Sequence, residues 1–134
     1  MSVWKKVTSN AMEIIEKMNI LEKALATMGL SLNKEVKMLE NGYGKSECFA
    51  AIVNSRGITT DVGINFTKSK GLEIVGDLWG SGLKFGDGGH QQLLDTIAQN
   101  YQVEHIKAKA IENLWEVSSV KTVNNKVEVE LIRY

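Results

Sequence analysis

The sequence GLEIVGDLWGSGLKFGDGGH, residues 71–90, decides how the chain is organised, because it begins as a strand, ends as a helix and carries an unusual loop between them. Six of the chain's 12 glycines lie between positions 76 and 89, and Trp79, Lys84 and Phe85 fall among them. This is the one local concentration of residues with the character of a site. We call residues 79–90 the glycine-rich loop.

Alternating apolar and polar residues predict strands upstream of the loop. The clearest strand is residues 58–66, in which every second side chain, from Ile58 to Phe66, faces one side. A turn at residues 68–71 returns the chain to a strand over residues 72–79. The continuous apolar run at residues 48–53 predicts a strand covered on both faces, which completes a three-stranded meander. Residues 3–8 and 30–39 predict two further strands.

Helical spacing predicts two principal helices. The first follows Ser9 or Asn10 and ends at Gly29, a natural C-cap. The second is expected over residues 91–115, which contain no glycine or proline, and residues 117–132 then form a hairpin. The order β-α-β-β-β-β-α-β-β predicts a single α+β domain over residues 1–134, with one mostly antiparallel sheet and both helices packed on one face. The expected core includes Ile58, Val62, Ile64, Leu93, Ile97 and Val129.

Composition disfavours several classes of function. The 16 basic and 16 acidic side chains cancel, whereas general nucleic-acid binders carry a basic excess that neutralises phosphates. The single cysteine, Cys48, cannot form an internal disulfide and is expected to be a small buried residue. The opening residues lack the apolar core of a signal peptide, and no apolar run approaches about 20 residues. We therefore expect no membrane contact and a cytoplasmic location.

The residues also resemble a known family. The opening MSVWKKVTSN and a helix ending LATMGL resemble the N-terminus of the DUF1257 (Ycf35-like) family, found in plastids, cyanobacteria and bacteriophages. The segment GLEIVGDLWG is similar to the family's strand ending in Asp, an aromatic pair and Gly. Gln99, Asn100 and Tyr101 correspond to its Gln-Arg-Tyr helix. The sequence departs from the pattern at Leu78, at Asn100 and in a longer glycine-rich insertion.

The resemblance implies an α+β domain and a cytosolic or phage origin, in which case the location is the host cytoplasm. It implies no activity, because the family is uncharacterised. Any ligand for the glycine-rich loop is therefore predicted from the loop's own residues.

The glycine-rich loop is predicted to form one wall of a binding pocket. It leads directly into a helix, whose free amides and dipole favour an anion near Gly88 and Gly89. Lys84 would add positive charge and Ser81 a hydroxyl, while Trp79, Phe85 and Tyr101 would offer flat rings and His90 a contact at the helix start. The alternative is structural: the glycines permit tight turns, Asp87 caps the helix, and His90 is an ordinary exposed residue.

Neither catalysis nor metal binding has a recognisable constellation of residues. His90 and His105 are about 22 Å apart along a continuous helix, so one metal ion could not join them, and one cysteine cannot complete a tetrahedral site. Asp77 is expected to be partly buried and to cap a turn, although a buried carboxylate can also serve as an acid or base. We expect no catalytic residue, no metal and no cofactor.

Three functions remain open. The first is a non-catalytic protein that sequesters or senses a small anionic, nucleotide-like molecule at Trp79, Ser81, Lys84, Phe85, Gly88, Gly89, His90 and Tyr101. The second is a homo-oligomeric interaction module with no small ligand. It is suggested by Leu114, Trp115 and Val117 beside a hairpin whose outer strand is a potential edge. The third is an enzyme of unrecognised type.

Overall fold

A computed structural model describes the backbone of residues 4–8, 18–66, 71–85, 88–112, 115–123 and 126–133, and the side chains of residues 4–7, 18–66, 71–85 and 88–111. The predicted α+β class is confirmed. In chain order the elements are β1 (Trp4–Thr8), α1 (Met18–Thr27), β2 (Ser31–Asn33), β3 (Met38–Asn41), β4 (Gly44–Glu47), β5 (Ala50–Val53), β6 (Thr59–Phe66), β7 (Leu72–Asp77), α2 (His90–Glu112), β8 (Trp115–Val123) and β9 (Lys126–Arg133).

The principal sheet has five strands in the order β1-β7-β6-β5-β2, and each neighbouring pair is antiparallel. The predicted meander is confirmed, because β5, β6 and β7 are neighbours both along the chain and in the sheet. Ile64 lies at its centre, paired with Ala50 of β5 on one side and with Ile74 of β7 on the other.

The prediction of a single sheet is wrong. Residues 30–39 do not form one strand: β2 ends at Asn33, and β3 pairs with β4 as a separate hairpin. The side chain of Asn33 ends β2, since its Oδ1 accepts a hydrogen bond from the backbone N–H of Glu35 at 3.1 Å and turns the chain. β8 and β9 also pair only with each other among the described strands.

Both helices pack on the same face of the five-stranded sheet, as predicted. Leu21 and Leu25 of α1 and Leu93 and Ile97 of α2 are fully buried, in one cluster with the alternate residues of β6 and β7. The assignment of Ile58 to the core is wrong, because it precedes β6 and its side chain is 52% exposed. Val62, Ile64, Leu93 and Ile97 are buried as predicted, whereas Val129 lies outside the described side chains.

The β3–β4 hairpin covers the opposite face of the sheet. Leu39 of β3 packs with Cys48, Ala51 and Val75 in a second, smaller cluster. The sheet gives room for it at Gly63, where an added Cβ would lie 2.9 Å from Leu39 Cδ1. Residues 48–53 are therefore covered on both faces, as predicted.

Gly29 ends α1 in the way that the sequence predicts. Its φ is 75°, in the left-handed region that favours glycine. Its N–H donates to Ala26 O and the N–H of Leu30 donates to Leu25 O, both at 2.9 Å. These two bonds form a Schellman motif, which satisfies carbonyls that the end of a helix leaves free. The predicted start of this helix lies outside the described residues.

Candidate functional site

The base of the glycine-rich loop is fastened by His90, the first residue of α2. Its Nε2 lies 2.7 Å from the backbone oxygen of Gly76 in β7, and the side chain is fully buried. A carbonyl oxygen only accepts hydrogen bonds, so Nε2 must carry the proton. Nδ1 has no hydrogen-bond partner among the described residues. The interpretation of His90 as an exposed surface residue is therefore wrong, because the imidazole ties the helix to the sheet.

Gly76 itself is held in close contact with the neighbouring strand. Its φ is 125°, and an added Cβ would lie 2.0 Å from the backbone oxygen of Asp61. No other amino acid fits this position without moving β6. The glycine lets β7 approach β6 closely and leaves its own carbonyl available to His90.

Asp77 organises the first turn of the loop. It is 2% exposed, and its Oδ1 accepts a hydrogen bond from the backbone N–H of Trp79 at 3.0 Å. Ser81 continues the turn, since its N–H donates to Leu78 O at 3.1 Å and its Oγ accepts from the N–H of Leu83 at 3.2 Å. The predicted turn-capping role of Asp77 is confirmed.

A cleft of about 520 Å³, which we call the apolar cleft, lies between residues 82–85 of the loop and the end of α1. Its lining comes from the turn after α1, the β5–β6 turn, the loop and α2. Most of its wall is apolar. The residues that define it are Met28, Leu30, Leu83 and Phe85, with Thr27, Gly29, Ser55, Gly82, Lys84 and Thr96 between them.

Lys84 supplies the positive charge of the apolar cleft. Its side chain is exposed and has no ion pair with any described residue. The opposite wall, at residues 27–29, is the C-terminal end of α1, which carries the negative end of the helix dipole. The hydroxyls of Thr27 and Thr96 each donate to a carbonyl of their own helix, at 3.1 and 2.8 Å. The cleft is therefore polarised, positive at the loop and negative at α1.

A second, smaller cleft, which we call the polar cleft, has a volume of about 170 Å³ and is lined by residues 79–81 of the loop. Its walls come from the β5–β6 turn, the start of β6, the end of β7 and the first half of the loop. The defining residues are Asn54, Arg56, Ile58, Asp61, Asp77 and Trp79, with Thr59, Thr60, Gly80 and Ser81.

Two carboxylates line the polar cleft and share one amide. Asn41 Nδ2 donates to Asp61 Oδ2 at 3.3 Å and to Asp77 Oδ2 at 3.2 Å. Asn41 belongs to the β3–β4 hairpin, and its own Oδ1 accepts from the N–H of Tyr43 at 2.8 Å. Within the part of the chain that the structure describes, neither carboxylate forms an ion pair.

The structure does not bring the eight predicted site residues together in one pocket. Lys84 and Phe85 line the apolar cleft, whereas Trp79 and Ser81 line the polar one. The other four line neither cleft. Gly88 has a φ of 76°, and Gly89 is buried, with its carbonyl accepting a hydrogen bond from the N–H of Leu93 at 3.0 Å. His90 is buried at the base of the loop. Tyr101 is 4% exposed and lies in the core beside His105.

Several cleft residues were not predicted. Met28 was expected only within the first helix and Leu30 only in the strand over residues 30–39, and neither Ser55 nor Arg56 was a predicted site residue. The glycine C-cap at position 29 marks a tight turn, but nothing in the sequence places that turn beside the loop. Asn41 was not among the predicted site residues. Its position two residues before Tyr43 is the spacing of an Asx turn, which was the available signal.

Cys48 and the possible metal ligands among the described residues do not form a further site. Cys48 is buried, its Sγ donates to Val36 O at 3.4 Å, and burial raises the pKa of the thiol although the Lys37 ammonium opposes this. Among the described residues, no three His, Cys, Asp or Glu side chains lie together as a metal site requires. Neither described helix contains a stretch with the length and hydropathy to cross a membrane.

Comparison with family models, curated proteins and solved structures finds no significant match to this chain. The resemblance to the DUF1257 family therefore stays a prediction.

Proposed function

We propose that the chain is a non-catalytic binding protein that sequesters or senses a small anionic molecule with a nucleotide-like flat ring. The observation that supports this is the apolar cleft with Lys84 at its rim. Its volume of about 520 Å³ falls in the range of small-molecule sites, about 300–1,000 Å³, which are mostly apolar with few polar groups. The amides near Gly88 and Gly89 stay a predicted additional contact.

The polarity of the apolar cleft sets the orientation of the ligand. The anionic group is expected at Lys84, because a carboxylate or phosphate there gains an ion pair that the described residues do not supply. The ring is expected against Phe85 and Met28, where it removes apolar surface from water. Donor groups on the ring are expected toward residues 27–29, where the end of α1 favours positive partial charge.

Adenosine 5′-monophosphate is expected to raise the melting temperature more than either of its parts. At ten times its Kd a ligand stabilises the native state by about 1.4 kcal/mol, which for this chain length is a rise of roughly 3–8 °C. Adenosine has the ring without the charge, and inorganic phosphate has the charge without the ring. Thermal unfolding with each compound separates the two contributions.

Lys84→Gln is the variant that tests the charge, and Lys45→Gln is its matched control. Both lysines are exposed, but Lys45 lies in β4, away from the apolar cleft. Lys84→Gln should weaken the monophosphate about three- to tenfold and leave adenosine unchanged, while Lys45→Gln should change neither. Equal effects of the two variants, or no shift with any of the compounds, would contradict the proposal.

A homo-oligomer is the second candidate, and a specific observation favours it. β8 and β9 pair only with each other among the described strands. A two-stranded hairpin leaves backbone donors and acceptors free on both edges. Beside it, near the end of α2, Ile111 is 76% exposed. A second copy that paired with this hairpin could also cover Ile111.

Sedimentation velocity at high micromolar concentration is expected to show a dimer or larger species that Ile111→Lys dissociates. A lysine at a buried interface leaves a desolvated charge, which is enough to weaken association at least tenfold. Met38→Lys is the control, because Met38 is an exposed apolar residue on β3, far along the chain from α2. A monomer at every concentration would remove this candidate.

A further inference from the structure

The polar cleft carries a feature that the proposed ligand does not use. Trp79 and Ile58, two of the most exposed large apolar side chains among the described residues, both line it, at 61% and 52% exposure. Tryptophan is strongly enriched at the centres of protein interfaces. Here the tryptophan lies in a loop whose base is held by the hydrogen bonds of Asp77 and His90.

The floor of the polar cleft is negatively charged. Asp61 and Asp77 accept hydrogen bonds from neutral donors, the side-chain amide of Asn41 and the backbone N–H of Trp79. Neither has a cation within ion-pair distance among the described residues. Asp61 is exposed and can accept further hydrogen bonds, and a charged donor would form a stronger one than the amide of Asn41 does.

Arg56 does not neutralise these carboxylates, although it lines the same cleft. Its guanidinium packs against the loop, where Nη2 would lie 2.6 Å from a Cβ added to Gly82. It forms no ion pair with a described residue. Counting its charge against Asp61 and Asp77, the cleft keeps an excess of one negative charge.

The size of the polar cleft identifies the kind of occupant. At about 170 Å³ it is smaller than the roughly 300 Å³ at which small-molecule sites begin, which favours a single side chain as the occupant. We propose that the polar cleft receives a lysine or arginine side chain of a partner polypeptide. Its charged end would reach the exposed carboxylate of Asp61, and the buried Asp77 behind it would add negative charge. Its stem would lie along Trp79, and flanking apolar residues of the partner would cover Ile58. This site is separate from the apolar cleft.

A long basic side chain would make favourable contacts with each exposed group that lines the polar cleft. A cation within about 6 Å of an indole ring gains a cation–π attraction, which tryptophan provides best. The aliphatic stem of a long basic side chain removes apolar surface of Trp79 from water. A free metal ion would gain only the carboxylates and would leave both apolar side chains uncovered.

The experiment uses two capped pentapeptides, Ala-Leu-Lys-Leu-Ala and Ala-Leu-Gln-Leu-Ala, titrated into the ¹⁵N-labelled protein. The lysine peptide is expected to bind about tenfold more tightly, to shift the side-chain amide signals of Asn41, and to weaken as salt rises. Cadaverine, a free diamine, is the third arm. If it binds as tightly as the lysine peptide, the cleft takes free amines and the polypeptide partner is wrong.

Matched variants locate the contact. Asp61→Asn keeps the shape of the side chain and should weaken the lysine peptide about three- to fivefold, while Asp95→Asn removes an equal charge on α2 and should change nothing. Trp79→Ala should weaken it about fivefold or more. Asp77 is left intact because it caps the loop. Equal binding of the two peptides, or equal effects of the two Asp variants, would overturn the proposal.

Discussion

Replacing Ile64 by aspartate is expected to leave the chain unfolded at room temperature. Ile64 is fully buried at the centre of the five-stranded sheet, paired with strands on both sides and covered by the helices. The change removes the buried aliphatic side chain, which costs about 2–5 kcal/mol, and places a charge where no partner is available, which costs several more. The total of about 5 kcal/mol or more is comparable to the whole stability of a typical domain.

Ile58→Asp is the matched control. It is the same substitution only a few residues away, but the side chain is 52% exposed and lies just before β6. Circular dichroism and chemical denaturation should show a native Ile58→Asp protein, within about 1 kcal/mol of the parent. A cooperatively melting Ile64→Asp protein would show that the core is assigned wrongly.

Gly76→Ala should lower the stability by more than about 3 kcal/mol and the melting temperature by roughly 10 °C. An alanine at a φ of 125° is strained, and its Cβ would lie 2.0 Å from the backbone oxygen of Asp61. β6 and β7 must separate to make room. Because the carbonyl of Gly76 also accepts the hydrogen bond of His90, the start of α2 should loosen as well.

Gly57→Ala separates the backbone strain from the steric clash. Gly57 also has a positive φ, 77°, but an added Cβ meets nothing within 4 Å. Its replacement should cost only about 1 kcal/mol. Hydrogen exchange of the α2 amides would then accelerate in Gly76→Ala and stay unchanged in Gly57→Ala. Similar stability losses in the two variants would mean that the close approach of β7 to β6 is not a constraint.

Local patterns were enough to predict the elements whose causes are local. The alternation over residues 59–66 gave β6, and Gly29 gave the end of α1, because φ preference and burial period act over a few residues. Ile58 was misassigned because the alternating pattern begins one residue before the strand does. The β3–β4 hairpin was missed because residues 30–39 were predicted to form one strand, whereas the side chain of Asn33 turns the chain after β2.

The candidate site was predictable only as a region. The glycine-rich loop was predicted to form one wall of a single pocket, whereas its described residues line two clefts. Trp79 and Phe85 are close in sequence but line different clefts. Their directions depend on the turn fixed by Asp77 and on the distant residues of α1 and β6. The burial of His90 likewise depends on Gly76, fourteen positions earlier.

The His90–Gly76 hydrogen bond has a consequence for how this surface can diverge between related chains. It joins β7, at Gly76, to the first residue of α2 at a buried point, so the loop that follows β7 can change in length without a change in the register of the sheet. Doubling a flexible loop costs only about 0.6 kcal/mol in closure entropy. Insertions in the loop can therefore reshape both clefts while the five-stranded sheet and α2 stay the same. The binding surface can then change independently of the fold that supports it.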